Sequence, residues 1–429
     1  MTLVIIIIFG SMILLLLVGV PIGLSILGST LISMKVTGLP LSIALTRMIS
    51  GSQSFLLTAI PFFTLAGILM REGGLTKRII NFCLIFVGHL QGSLGHVNIV
   101  SSMIFGGISG SSVADTASIG SIMIPEMKKK DYPADISAAI TATSSTIGII
   151  IPPSIPMILY ALIGQVSIGK LFLAGVTPGI LVGIGQMIVN LFISKKRGFP
   201  IYREQRANLK EIIKGAKDGL FAIGMPIIIV GSITIGIVTA TEAAVIAVVY
   251  ALLIGLFVYR ELDLKKLPAI LLEAAQITAV VMLIVVCANA LGWLLGYTRI
   301  PQVISEKLLT LSENPIVILL IINAFLLLVG TISDLAPNIL ILTPVFLPVI
   351  LQLGINPLHF GIVFILNQAI ALVTPPVGNC LYICSNIGKV SIEETFKASI
   401  PFILANIAVL LLVVFIPEVA LWLPNLLMK

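Results

Sequence analysis

Apolar residues run along the chain in long stretches free of Asp, Glu, Lys and Arg, among them residues 1–34, 48–70, 79–114, 136–169, 171–194, 219–241, 274–298, 314–333, 335–388 and 398–417. A helix needs about 20 apolar residues to cross the hydrocarbon core of a bilayer. These runs therefore predict a series of membrane-crossing helices. Strands of a membrane barrel would alternate apolar and polar positions over about 10 residues, and the runs do not alternate. The predicted fold class is an all-α polytopic membrane protein.

Composition narrows the function. Of the 429 residues 58% are hydrophobic and 10% charged, and the mean hydropathy is +1.18, whereas soluble domains carry roughly 25% charged residues. Soluble enzymes, disordered tails and secreted disulfide scaffolds are excluded. Cys83, Cys287, Cys380 and Cys384 lie inside apolar runs, with spacing that fits neither a zinc knuckle nor a thioredoxin-type pair, and read as small packing residues. His89, His96 and His359 do not form a metal set and are expected at surface or interfacial positions. The formal charge of +7 is spread over loops without interleaved aromatics, so no nucleic-acid partner is predicted. No basic segment precedes the first apolar run, which is expected to stay as a helix rather than be cleaved.

An internal repeat sets the architecture. Displaced by 223 positions, Pro125, Pro152, Pro153 and Pro178 fall on Pro348, Pro375, Pro376 and Pro401, and Gly73 and Gly107 fall on Gly296 and Gly330. About 0.6 proline pairs are expected by chance, so the halves are related. The chain divides into a first repeat over 1–205, a linker and connecting helix over 206–238, and a second repeat over 239–429. Eight of the 25 Lys and Arg lie between Lys195 and Lys217, which makes this stretch cytoplasmic and suited to lie on anionic lipid. Lys128-Lys129-Lys130 and the loop Arg260 to Lys266 are basic while their repeat mates are not. Matching loops thus face opposite sides, the signature of inverted-topology repeats. Crossing 219–241 inverts the second half, which puts the N-terminus in the cytoplasm and the C-terminus in the periplasm.

Within each repeat the chain breaks twice at membrane depth. The Gly/Ser stretch Gly106 to Asp115 predicts the tip of a re-entrant hairpin over about 98–127, preceded by an interfacial helix near 79–95. The second hairpin spans about 317–350, with its tip at Thr331 to Asn338. Broken helices are predicted over about 136–165 and 359–388, interrupted by Pro152-Pro153 and Pro375-Pro376. Non-helical backbone at that depth must be buried in protein or line a watery cavity. Tandem prolines free the preceding carbonyls as hard oxygen ligands, and half-helix N-termini favour an anion. Ser109, Ser111, Ser112, Thr143, Ser144, Ser145, Asn338, Asn367 and Thr374 add neutral oxygens, unless they only bond to their own backbone. Asp115 and Asp334 are the acids predicted deep in the protein, where an Asp costs roughly 2.5 to 3.5 kcal/mol on insertion scales. Each is either functional or a helix cap. Glu242 reads as a surface charge.

The residues Gly106 to Asp115, Ile151-Pro152-Pro153-Ser154 and Thr374-Pro375-Pro376-Val377-Gly378, with the length and the repeat, resemble the large membrane (M) subunit of tripartite ATP-independent periplasmic (TRAP) transporters over essentially the whole chain. The resemblance implies an elevator-type secondary transporter of the bacterial inner membrane, not an enzyme, with sodium as coupling ion and no other cofactor. It implies a periplasmic substrate-binding (P) protein that delivers an organic acid, and a small membrane (Q) subunit as a separate chain. One sodium is expected between the first tip and the Pro152 break, another between the second tip and the Pro375 break. The candidate sodium positions are Ser109, Ser111, Ser112, Asp115, Thr143, Ser144, Ser145, Gly148 and Pro152, and Gly330, Ser333, Asp334, Asn338, Thr374, Pro375 and Gly378. Ser111, Ser112, Asn338 and Asn367 are candidate substrate contacts. Sialic acid is the favoured cargo, with a C4-dicarboxylate TRAP system or a single-component sodium/dicarboxylate symporter as alternatives.

Overall fold

Backbone N–H groups in an apolar run find no partner in lipid but the carbonyls of their own segment, and helices result. The computed structural model describes residues 2–203 and 205–428, and among these there are helices and no strands. Five helices open the chain: α1 (Thr2–Leu17), α2 (Ile22–Val36), α3 (Ser42–Ser52), α4 (Ala59–Glu72) and α5 (Leu75–Val87). The first hairpin is α6 (Ser93–Ser109) and α7 (Ser112–Lys129), and the first broken helix is α8 (Ala134–Ser145) and α9 (Ile155–Gly164), followed by α10 (Ile168–Arg197). Next come α11 (Leu209–Thr234), α12 (Ala240–Leu253), α13 (Leu267–Tyr297) and α14 (Ile300–Leu311). The second hairpin is α15 (Pro315–Gly330) and α16 (Leu335–Gln352), the second broken helix α17 (Pro357–Ala371) and α18 (Asn379–Gly388), and α19 (Ile392–Phe415) and α20 (Glu418–Leu427) close the fold.

Six helical stretches among the described residues, 55–72, 168–197, 240–258, 264–297, 335–352 and 392–415, are long and apolar enough to cross a membrane. The first apolar run is two helices rather than one, because the turn before Pro21, which lacks an N–H, ends α1 at Leu17. The helix expected over 79–95 stops at Val87, where a turn leads into α6 and the Gly88 carbonyl accepts the Arg203 N–H at 2.9 Å. Glu242 is exposed and completes a capping box with Thr239 at the start of α12. All four cysteines are buried and unpaired. The histidine expectation fails at two positions. His96 and His359 are buried, and His359 is fixed by its Nε2, 2.7 Å from the Val413 carbonyl of α19; His89 is half-buried.

The helices sort into two neighbourhoods. In one, α4 packs on α12, α13 on α2 and α3, and α11 on α5; in the other, α7, α8, α10, α18 and α19 pack together. Hairpin helices join them, α6 touching α4 and α5, and α16 touching α13 and α14. The two broken helices lie antiparallel, start against end. A methyl on Gly388, the last residue of α18, would sit 3.6 Å from the Ala134 carbonyl at the start of α8, and Lys128 Nζ donates to the Gly388 carbonyl at 2.9 Å. At the other end Tyr160 of α9 donates to the Pro357 carbonyl of α17 at 2.7 Å and packs edge-on against Phe360 and Phe364. This is the arrangement that an inverted pair produces.

That hydroxyl is one of several polar ties between the halves. Tyr160→Phe is expected to destabilise the protein by about 1 kcal/mol, since it leaves a partly buried carbonyl without its donor. Equilibrium unfolding in detergent reads it directly, and an unchanged midpoint would show that the tie contributes nothing net.

Candidate functional site

Ser109 ends α6, Gly110 turns in the left-handed region at φ +60, and Ser111 caps α7 by accepting the Ala114 N–H at 3.4 Å. The glycine is required twice over, because a side chain there would also fall 2.7 Å from the Pro153 carbonyl. The Ile155 N–H donates back to the Gly110 carbonyl at 3.4 Å, which holds the hairpin tip on the break of its own half. Deeper in, backbone touches backbone: a methyl on Gly106 would lie 2.5 Å from Gly148 Cα. The break itself runs from Ser145 through a 3-10 turn to the cis pair Pro152-Pro153, after which Ser154 caps α9.

Asp115 sits in the first turn of α7, fully buried. Neither carboxylate oxygen has a hydrogen-bond partner, so it caps nothing. The hydroxyls of Ser102 and Ser145 lie beside it, the Ser112 hydroxyl is also buried without a partner, and a methyl on Gly148 would stand 3.7 Å from the Ser111 carbonyl and 3.8 Å from Asp115 Cβ. A carboxylate removed from water whose neighbouring hydroxyls stand outside good hydrogen-bond geometry costs several kcal/mol, and a cation among these oxygens would offset that cost. No group of three or more His, Cys, Asp and Glu occurs among the described residues. One carboxylate with neutral hydroxyl and carbonyl oxygens suits a hard cation rather than a transition metal.

Some predicted oxygens around this centre are tied locally. Thr143 donates to the Ala139 carbonyl at 2.8 Å and Ser145 to that of Thr141 at 2.6 Å, the back-bonding weighed above, which leaves their lone pairs free to ligate. Ser144 pairs with Ser102 at 3.1 Å, and Asn98 donates to Thr141 at 2.6 Å. Asn98 and Ser102 escaped the sequence reading. Their signal is an i, i+4 spacing that puts both on one face of α6.

At the second tip the Val377 N–H donates to the Thr331 carbonyl at 3.0 Å, so this hairpin too is held on its own break. Asp334 lies at the head of α16, half-buried, and accepts from Asn379 at 3.4 Å. Asn338 donates to Gln368 at 2.7 Å and to the Ser333 carbonyl at 3.4 Å, while Gln368 donates to the Leu326 carbonyl at 2.9 Å. Asn367 donates to the Asn323 carbonyl and side chain at 2.8 and 2.9 Å. Thr374 donates to the Ile370 carbonyl at 2.8 Å, Pro375-Pro376 is cis, and Gly378 has φ +49. A methyl on Gly330 would lie 2.6 Å from Ala371 Cβ, which seats the end of α15 against α17. Gln368 and Asn323 were not foreseen. Of the four candidate substrate contacts, Ser111 borders a cleft beside α4 and α13, and the buried Asn338 and Asn367 cross-link the second hairpin to α17.

α7 and α16 are both 18 residues long, starting at Ser112 and Leu335, so the 223-residue register carries straight across the tips. In that register Asp115 falls on Asn338, and Ser111 on Asp334. The two deep acids are not equivalents. Gln368→Leu removes the acceptor of Asn338 and is expected to cost about 1 to 3 kcal/mol. The measurement is thermal unfolding with and without sodium; a wild-type transition in both would show that the Asn338–Gln368 bond does not hold the second tip.

A family model described as "Tripartite ATP-independent periplasmic transporter, DctM component" matches residues 9–419. The sialic acid TRAP transporter large permease protein SiaM of Vibrio cholerae is 40% identical over 413 residues, 96% of each chain. The C4-dicarboxylate TRAP transporter large permease protein DctM of Pseudomonas aeruginosa is 38% identical, over 88% of each chain. In fold, the chain is similar to the YdaH transporter of Alcanivorax borkumensis, with a TM-score of 0.63 at 13% identity, covering 86% of this chain and 87% of that one.

Proposed function

The chain belongs to the tripartite ATP-independent periplasmic transporter family as its DctM component, the large permease, and on that premise we propose that it couples inward sodium movement to uptake of an organic acid. It is a multi-pass membrane protein and a secondary transporter, not an enzyme. The observation that carries sodium coupling is Asp115, a fully buried carboxylate with both oxygens free, set among hydroxyls and a backbone carbonyl at the contact of hairpin tip and break. A second ion belongs between the second tip and the Pro375 break, where Asp334 supplies the charge.

Family membership supports the partners: a periplasmic substrate-binding protein that delivers the acid and a small membrane subunit as a separate chain. The Lys and Arg distribution supports an inner-membrane orientation with a cytoplasmic N-terminus. For the cargo we favour sialic acid, on the 40% identity to a permease named for it; the 38% identity to a C4-dicarboxylate permease supports the second reading. Transport proceeds by an elevator movement of the hairpins and broken helices against α4, α5, α13 and α14.

The test is uptake of radiolabelled N-acetylneuraminate into proteoliposomes holding this chain and its small subunit, with the sodium gradient and the binding protein each left out in turn. Uptake that requires both is the expected result. Uptake without the binding protein would favour a single-component symporter, and sodium-independent uptake would remove the coupling ion. Uptake of succinate alone would replace the cargo.

A further inference from the structure

A cleft between α4, α13 and the first hairpin tip has a feature that the ion centres do not use. Arg71 at the end of α4 holds Glu273 of α13 in a two-pronged pair, at 2.7 and 3.0 Å, while its Nε donates to Glu72 at 3.2 Å. Both members of the pair border the cleft, together with Thr64, Ser109, Ser111 and Ser118. Thr64 and Ser118 are 7% and 6% exposed, yet neither hydroxyl has a hydrogen-bond partner. A helical Ser or Thr ordinarily donates to the carbonyl one turn back, as Thr116 does to Ser112 at 2.6 Å. Two idle buried donors facing one small cavity are not explained by an ion pair that merely ties α4 to α13.

We infer that this cleft is a carboxylate subsite for the cargo, in which Arg71 exchanges the side chain of Glu273 for the carboxylate of the transported acid and Thr64 and Ser118 donate to it. A guanidinium fork matches a carboxylate in two parallel hydrogen bonds, and Glu273 shows the fork already in that geometry. The substrate head competes with an isosteric group for the same two donors, so exchange conserves the bonding of Arg71. The cavity measures about 70 Å³, room for the volume of roughly two waters. It therefore takes the charged head and not a whole sugar acid, whose remainder extends past Ser109 and Ser111 of the tip. Glu273 returns to the fork when the acid leaves, which keeps Arg71 from retaining an anion it must release.

This inference rests on the organic-acid reading above. The test measures half-saturating N-acetylneuraminate, and separately succinate, for the purified complex of this chain with its small subunit in detergent at fixed saturating sodium, read by the ligand-dependent unfolding temperature. Glu273→Gln removes the competing carboxylate from the fork and is expected to tighten binding by about tenfold, whereas Arg71→Gln weakens it by about tenfold. Thr64→Val weakens it by about threefold. Sodium-dependent stabilisation, read without acid, stays in every variant and shows that the ion centres are intact. Wild-type affinity in both Glu273→Gln and Arg71→Gln would make the pair a structural tie and overturn the subsite. Binding of neither probe by the wild type, with sodium stabilisation intact, would overturn the cargo reading itself and the subsite with it.

Discussion

Asp115→Asn is expected to reduce sodium-driven uptake by roughly 100-fold or more while leaving the protein at least as stable in the absence of sodium. In the proposed sodium site, losing the buried charge would forfeit about 3 to 5 kcal/mol, and each 1.4 kcal/mol is about tenfold in affinity. Stability moves the other way, because the wild-type carboxylate is fully buried with both oxygens unpartnered and the amide has no charge to desolvate. Two readouts therefore separate. The unfolding temperature without sodium is expected to rise or stay, and the sodium-dependent increase expected of the wild type to shrink. A mutant that sodium stabilises as strongly as the wild type would place the ion elsewhere.

The second large effect belongs to Gly106→Ala. The added carbon would fall 2.5 Å from Gly148 Cα and 3.1 Å from Gly148 N, and because the obstacle is backbone, no side-chain rotation relieves it. Either α6 shifts or the tip lifts from the break. Overpacking of this kind typically costs about 1 to 3 kcal/mol; here it also separates the Ser111 carbonyl and Asp115 from the 146–149 turn, so uptake should be lost with the ion response. Gly231→Ala is the control, since nothing lies within 4 Å of its added carbon and alanine favours the helix. Equal behaviour of the two variants in unfolding and uptake would show that the tip is not held by this contact.

The membrane fold was legible because charge-free runs have one solution in lipid, and the tips and breaks were legible because Gly, Ser and tandem Pro interrupt those runs. The hydrogen-bonded lining was not. A polar residue in an apolar helix reads the same whether it bonds to its own turn, as Thr143 and Ser145 do, or reaches another helix, as Asn98 and Gln368 do. Which of the two occurs depends on what the neighbouring helix places opposite, and that is set by packing. The histidines failed for the same reason: His359 follows a loop in sequence, but α19 covers it and offers the Val413 carbonyl. The Arg71–Glu273 pair joins residues 202 positions apart, and no local pattern announces it.

In the register that lays Asp115 on Asn338 and Ser111 on Asp334, the two halves share the outline of hairpin tip and break but place their acids differently. One half carries its acid one turn inside the helix, sealed from water; the other carries it on the doorstep. On the proposed sodium reading, two compartments with like walls but differently placed charges hold their ions with unequal strength, which would give a twofold architecture a preferred order of filling.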